Sequence, residues 1–260
     1  MFLAVTLWRE IMQSVFQQEV LLRLQRDVVV QCKFRTSLTE FASQAYRICR
    51  AGALPLLVDA DHGYGNALNV KRTVEELESA GVAALTIEDT ELPQPFGALG
   101  KPRLISIPEG VGKMQAALAG RQDPALVIAG RTGAMGIAGL DETIARAKAY
   151  QAAGVDALFF TGVNTREQLA AIAAAVALPI FLGGAGPGLG DRGYLAAKGV
   201  RISLQGHQPI MAAVQAVHDT LKALRDGAPP AALPGLASND LMKRLTRDAD
   251  YAAWSKRFLG

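Results

Sequence analysis

Residues 55–90, PLLVDADHGYGNALNVKRTVEELESAGVAALTIEDT, constrain the fold more than any other stretch. Pro55-Leu56-Leu57-Val58 is a short, continuously apolar run, the pattern of a strand buried on both faces of a parallel sheet. A glycine-rich turn, Gly63-Tyr64-Gly65-Asn66, leads into a helix-period segment from Asn69 to Ala80. A second apolar run, Ala83 to Ile87, follows and ends in Glu88-Asp89. Strand, helix and strand at this spacing read as a parallel βαβ unit.

The same stretch carries the chemistry. Asp59 and Asp61 stand at i and i+2, which puts both carboxylates on one face at the end of the first strand. Glu88 ends the adjacent strand, so three hard oxygen ligands converge on one rim. Such a set suits Mg²⁺ or Mn²⁺, which binds through a few carboxylates and leaves the rest of its shell to water or substrate. A single Asp in a strand-to-helix loop is explained as well by helix capping; three carboxylates on two strand ends are harder to explain that way.

The βα pattern recurs along the chain. Strands are expected to begin near Val28, Pro55, Ala83, Ala125, Asp156, Pro179 and Val200. Helices are expected over Leu7–Leu24, from a capping box at Ser37-Leu38-Thr39-Glu40 to about Ala51, and over 109–120, 141–154, 165–176, 193–198, 210–225 and 238–258. This alternation predicts an α/β fold, a (β/α)₈ TIM barrel formed by one domain over residues 1–260. Seven strands are legible where a closed barrel needs eight. The shortfall lies before residue 55, so the barrel reads as incomplete at its N-terminus, with 1–36 as an atypical segment.

Composition narrows the partners. The net charge of +3 is small for 260 residues, and its excess lies within residues 1–58, which hold seven Arg and Lys against four Asp and Glu. Nothing here points to nucleic acid. Cys32 and Cys49 are too few for a disulfide framework and lack metal-ligand spacing, which predicts a reducing compartment. No apolar run approaches the roughly 18 residues of a membrane span. MFLAVTLWRE has no basic residue ahead of its apolar stretch, so a secretory signal is not expected and a cytoplasmic location is.

DADHGYGN followed by a helix and TIEDT resembles the isocitrate lyase / phosphoenolpyruvate mutase superfamily, over about Ser37 to the C-terminus. HGYGN, with His and Tyr, is most similar to the superfamily's oxaloacetate decarboxylase branch. The resemblance implies a barrel of that superfamily's type, a small 2-oxo acid substrate, and a homo-oligomer, dimer or tetramer, whose C-terminal helix is exchanged (here 236–260). Arg131, in GRTGA, matches the Arg of the superfamily's ART motif, with Gly133 where Asp or Asn is usual. An Arg there offers a planar fork for a carboxylate; a rim salt bridge is the plainer reading. His207, in ISLQGH, is similar to the branch's NGH and is suited to proton transfer near neutral pH. Both are candidate catalytic and substrate-binding residues, and Tyr64 and Asn66 are candidate substrate hydrogen-bonding residues. His62 either orients a metal-bound water or shapes the turn, and His218 reads as structural.

There are departures. Residues 1–58 hold no Gly-Gly-Ser turn, and Cys32 falls where an acidic residue is usual. The glycine-rich loop Gly183–Gly188 offers none of the polar side chains usual there; phosphate binding by its backbone is a rival use. The segment after Glu88 has no cysteine, unlike the lyase branch. The resulting expectation is Mg²⁺-dependent decarboxylation of oxaloacetate to pyruvate and CO₂. The alternatives are other carbon–carbon lyase or phosphonomutase chemistry, 2-methylisocitrate lyase-like, and an inactive metal-binding relative.

Overall fold

A computed structural model describes residues 37–94, 96–98, 100–184 and 186–260. The helix expected over Leu7–Leu24, the strand at Val28–Val30 and Cys32 lie outside the described residues. These residues fall into two compact units, 37–206 and 207–260.

The first unit runs α1 (Leu38–Ala51), β1 (Leu57–Asp59), α2 (Ala67–Ser79), β2 (Ala84–Glu88), α3 (Ile107–Gly120), β3 (Val127–Thr132), α4 (Ala134–Ile137), α5 (Leu140–Ala153), β4 (Ala157–Phe160), α6 (Arg166–Ala175), β5 (Ile180–Leu182), α7 (Arg192–Ala197) and β6 (Val200–Ser203). The six strands pair in sequence order, all parallel. That is the order of successive units in a (β/α)₈ barrel, with six such strands among the described residues. The expected boundaries hold to within a few residues. The short α4 has no counterpart in the sequence reading, because Ala134-Met135-Gly136-Ile137 is too short to show a helical period.

Strand register sorts the side chains. Asp59 pairs with Thr86, Thr86 with Ala129 and Ala129 with Ala157; Glu88 pairs with Arg131, Arg131 with Phe159 and Phe159 with Phe181. Register partners in a sheet point to the same face, so one face carries the polar set at its end and a small apolar cluster, Ala129, Ala157, Phe159 and Phe181, beneath it. The alternate residues Leu85, Ile87, Ile128, Leu158, Phe160 and Ile180 point the other way into the main core with Val74, Leu77, Met114 and Tyr150. Each such fully buried large side chain stabilises by about 1.5–3 kcal/mol. Cover on both faces is why the strands read as unbroken apolar runs.

Local chemistry sets the helix starts. The capping box at Ser37 is present, with the Glu40 backbone N–H donating to Ser37 Oγ and Glu40 accepting from the Ser37 N–H. Asn66 caps α2 in the same way, its Oδ1 accepting from the Leu68 and Asn69 backbone N–H groups at 2.9 and 3.4 Å.

The second unit holds α8 (Gln208–Arg225), α9 (Asn239–Leu245) and α10 (Asp248–Phe258). The single helix expected over 238–258 is instead two. Arg247 adopts φ 60°, Thr246 Oγ1 donates to Asp248, and Arg247 Nε donates to Asp250. Local side-chain bonding of this kind competes with the helical ladder and breaks it. His218 is exposed on α8, beside Asp219. No helix among the described residues is long and apolar enough to cross a membrane.

Candidate active site

β1 and β2 end side by side, and the turn after β1 curls back over that end. Asp61, Gly63, Tyr64 and Gly65 all have positive φ, at 48°, 75°, 61° and 150°. Glycine is required at 63 and 65: a Cβ at either would collide with Val70 or Asn69 on α2. The curl returns Asp61 to the rim. Its backbone N–H donates to Asp59 Oδ1 at 3.1 Å, and its carbonyl accepts the Glu88 N–H at 2.6 Å.

Asp59, Asp61 and Glu88 thereby each offer one carboxylate oxygen, and the three oxygens lie within 4.8 Å of one another. Asp59 is exposed, Asp61 half-buried and Glu88 buried. Two threonines steady the outer pair: Thr86 Oγ1 donates to Asp59 Oδ1 at 3.1 Å, and Thr90 Oγ1 donates to Glu88 Oε1. Sequence reasoning passed over both, although Thr86 and Thr90 flank Glu88 at i−2 and i+2, the period of one strand face.

Arg131 is the penultimate residue of β3 and is largely buried. Its Nη1 pairs with Asp59 and its Nη2 with Glu88 Oε2 at 2.9 Å, and the guanidinium carbon lies 5.4 Å from the centroid of the Phe159 ring. Burial alone would lower its pKa, but Asp59 and Glu88 outweigh that and raise it. The guanidinium is therefore engaged by Asp59 and Glu88. Its Nε is buried with no hydrogen-bond partner among the described residues.

Three hard anionic oxygens within one ion's reach, opposed by a single guanidinium, match the ligand preference of a small divalent cation. The donor set fits.

Asp89, next to Glu88, is not one of the set. It is fully buried and turned to the helices, where Arg146 Nη1 at 3.1 Å and Tyr150 Oη at 2.7 Å donate to its Oδ2. Arg146 also donates to the Ile105 carbonyl and pairs with Glu142. His62 is half-buried, and burial together with Lys113 pulls its pKa down to about 4, so it is neutral at neutral pH. Its ring lies 6.3 Å from that of Tyr64, which in turn lies 6.3 Å from Phe41. Gly133 sits where a Cβ would come within 3.3 Å of Thr161 Oγ1, and a Cβ on Gly183 would come within 2.7 Å of Thr161 Cγ2. A Cβ on Gly186 would come within 2.9 Å of the Asn164 carbonyl oxygen. Glycine at 183 and 186 is thus required by the close approach of neighbouring loops. His207 belongs to the second unit, where it precedes α8 and is exposed.

Residues 34–225 match the phosphoenolpyruvate phosphomutase family. The chain belongs to it. An oxaloacetate decarboxylase of Bradyrhizobium diazoefficiens is 64% identical over 224 residues, 86% of this chain and 77% of the relative. Among solved structures, a phosphonopyruvate hydrolase with oxalate and Mg²⁺ has a TM-score of 0.77 at 28% identity, covering 91% of this chain and 84% of its own. An oxaloacetate acetylhydrolase with 3,3-difluorooxalacetate has a TM-score of 0.73 at 28% identity, covering 87% and 78%.

Proposed function

We propose that this member of the phosphoenolpyruvate phosphomutase family is a carbon–carbon lyase that decarboxylates oxaloacetate to pyruvate and CO₂. The observation that carries this reading is the convergence of Asp59, Asp61 and Glu88 within 4.8 Å, in a chain 64% identical to a protein named oxaloacetate decarboxylase.

Asp59, Asp61 and Glu88 would hold Mg²⁺, or Mn²⁺ in its place. When bound, the cation supplies a Lewis acid for the 2-oxo oxygen and the neighbouring carboxylate of the substrate. In the reaction the C3–C4 bond breaks, its electron pair passes into the C2–C3 unit, and C3 takes up a proton as CO₂ leaves. Arg131 keeps Asp59 and Glu88 in place and brings a fixed positive charge to the end of the substrate where negative charge develops. Phe159, beneath the guanidinium, excludes water from that side. We assign hydrogen bonds to substrate to Tyr64 and to the amide of Asn66 left over from capping. A cytoplasmic homo-oligomer, dimer or tetramer, completes the proposal.

The experiment is oxaloacetate loss by purified protein with Mg²⁺, set against Asp61→Ala and against Mg²⁺ alone. Loss well above both supports the reading; a rate equal to that of free Mg²⁺ sinks it.

A further inference from the structure

Lys113 lies on α3 with 4% of its surface exposed. A buried ammonium costs several kcal/mol unless its surroundings compensate it, so its place in the core calls for a partner of consequence. Its Nζ donates to the backbone carbonyl of His62 at 3.0 Å, across 51 residues of sequence. Burial lowers the pKa of the ammonium, and Glu109, Asp89 and Glu88 draw it back upward without restoring it.

The carbonyl it grips belongs to the residue after Asp61. The same turn is tied at Gly63, whose N–H donates to the Ala60 carbonyl at 2.9 Å and whose carbonyl accepts from Thr73 Oγ1 at 3.1 Å. Asp61 is a non-glycine residue at φ 48°, a backbone region that side chains disfavour unless the surroundings impose it. From one side the Asp61 peptide is tied to Asp59 and Glu88. From the helix side Lys113 ties the next carbonyl. Asp89, the nearest buried carboxylate in sequence to Glu88, is already engaged by Arg146 and Tyr150.

We propose that Lys113 is a positioning residue for the cation site: it holds the His62 carbonyl so that Asp61 keeps its carboxylate aimed at Asp59 and Glu88. This rests on the cation site proposed above. Lys113 touches neither substrate nor cation and acts through the turn. Removing an outer support of this kind weakens metal binding by about 10–100-fold in characterised sites.

The test is Mn²⁺ titration of the full-length protein, read by the electron paramagnetic resonance of free and bound Mn²⁺, with near-ultraviolet circular dichroism as the check on folding. Lys113→Met should fold and bind Mn²⁺ at least about tenfold more weakly than wild type. Lys113→Arg, which keeps charge and donor, should recover much of the loss. Should the Met variant fail to fold, Lys113→Gln and Lys113→Arg serve in its place, with Arg expected to bind more tightly than Gln. Variants that bind Mn²⁺ as tightly as wild type overturn the inference and leave the cation site standing. Wild type that binds no Mn²⁺ overturns the cation site, and the inference with it.

Discussion

Glu88 and Arg131 are register partners across the β2–β3 ladder, and their side chains meet as an ion pair with Nη2 2.9 Å from Oε2. The same guanidinium reaches Asp59 on β1. One guanidinium thus pairs with two of the three carboxylates.

Arg131→Met should therefore destabilise the metal-free protein by about 3–5 kcal/mol, because it leaves buried Glu88 without its counter-charge. Urea denaturation in chelator measures this. Saturating Mg²⁺ should restore more stability to the variant than to wild type; equal gains would show that the guanidinium and the cation do not share the carboxylates.

A divalent cation that binds only the folded state should raise the melting temperature. At a hundred times its dissociation constant the gain is about 2.7 kcal/mol. Asp61→Asn should lose most of that gain, since it removes one of three anionic ligands. Thermal melts with Mg²⁺ and with chelator check this, and a wild type indifferent to both would contradict the site.

Behind the rim, Tyr150→Phe should cost about 1–3 kcal/mol, because Asp89 Oδ2 loses a buried donor at 2.7 Å. Gly110→Ala should also destabilise, since its Cβ would run into Tyr150 Oη and stand 3.0 Å from Cε1. The double variant should be less damaged than the two losses summed, because Phe lacks the colliding oxygen. A double-mutant cycle by denaturant unfolding reads the coupling directly.

At the start of α1, hydrogen bonds from the Ser37 backbone and hydroxyl hold the Glu40 carboxyl below its usual pKa of 4.5. A carboxyl depressed by folding stabilises above the unfolded value and loses that contribution as the pH falls through the folded one. The stability gap between wild type and Glu40→Gln should thus be present at pH 7 and shrink below about pH 4. A gap unchanged on acidification would mean that the charge plays no part in the cap.

Much of the site was legible because it rests on short-range rules. Asp59 and Asp61 follow an apolar run at strand period, and Glu88 ends the next run, so their meeting needs only two adjacent parallel strands. Asn66 and Ser37 were legible as turn and cap residues for the same reason, since each bonds to its own next turn. The partners of Arg131 were not legible. Asp59 is 72 residues away, and the pairing depends on a β2–β3 register that no local pattern encodes. Lys113 and Tyr150 looked like ordinary helix residues, one polar and one aromatic, until the packing showed what each reaches.

The sequence by itself determined the βα alternation, the polarity of each strand end and the three carboxylates on one rim, because periodicity and local hydrogen bonding act over a few residues. Tertiary structure alone decided that Arg131 pairs with two of those carboxylates, that Asp89 turns to the helices, and that Lys113 grips the turn carrying Asp61. Each of these is a buried charge, and a buried charge is stable only where distant segments bring its partner within hydrogen-bond reach.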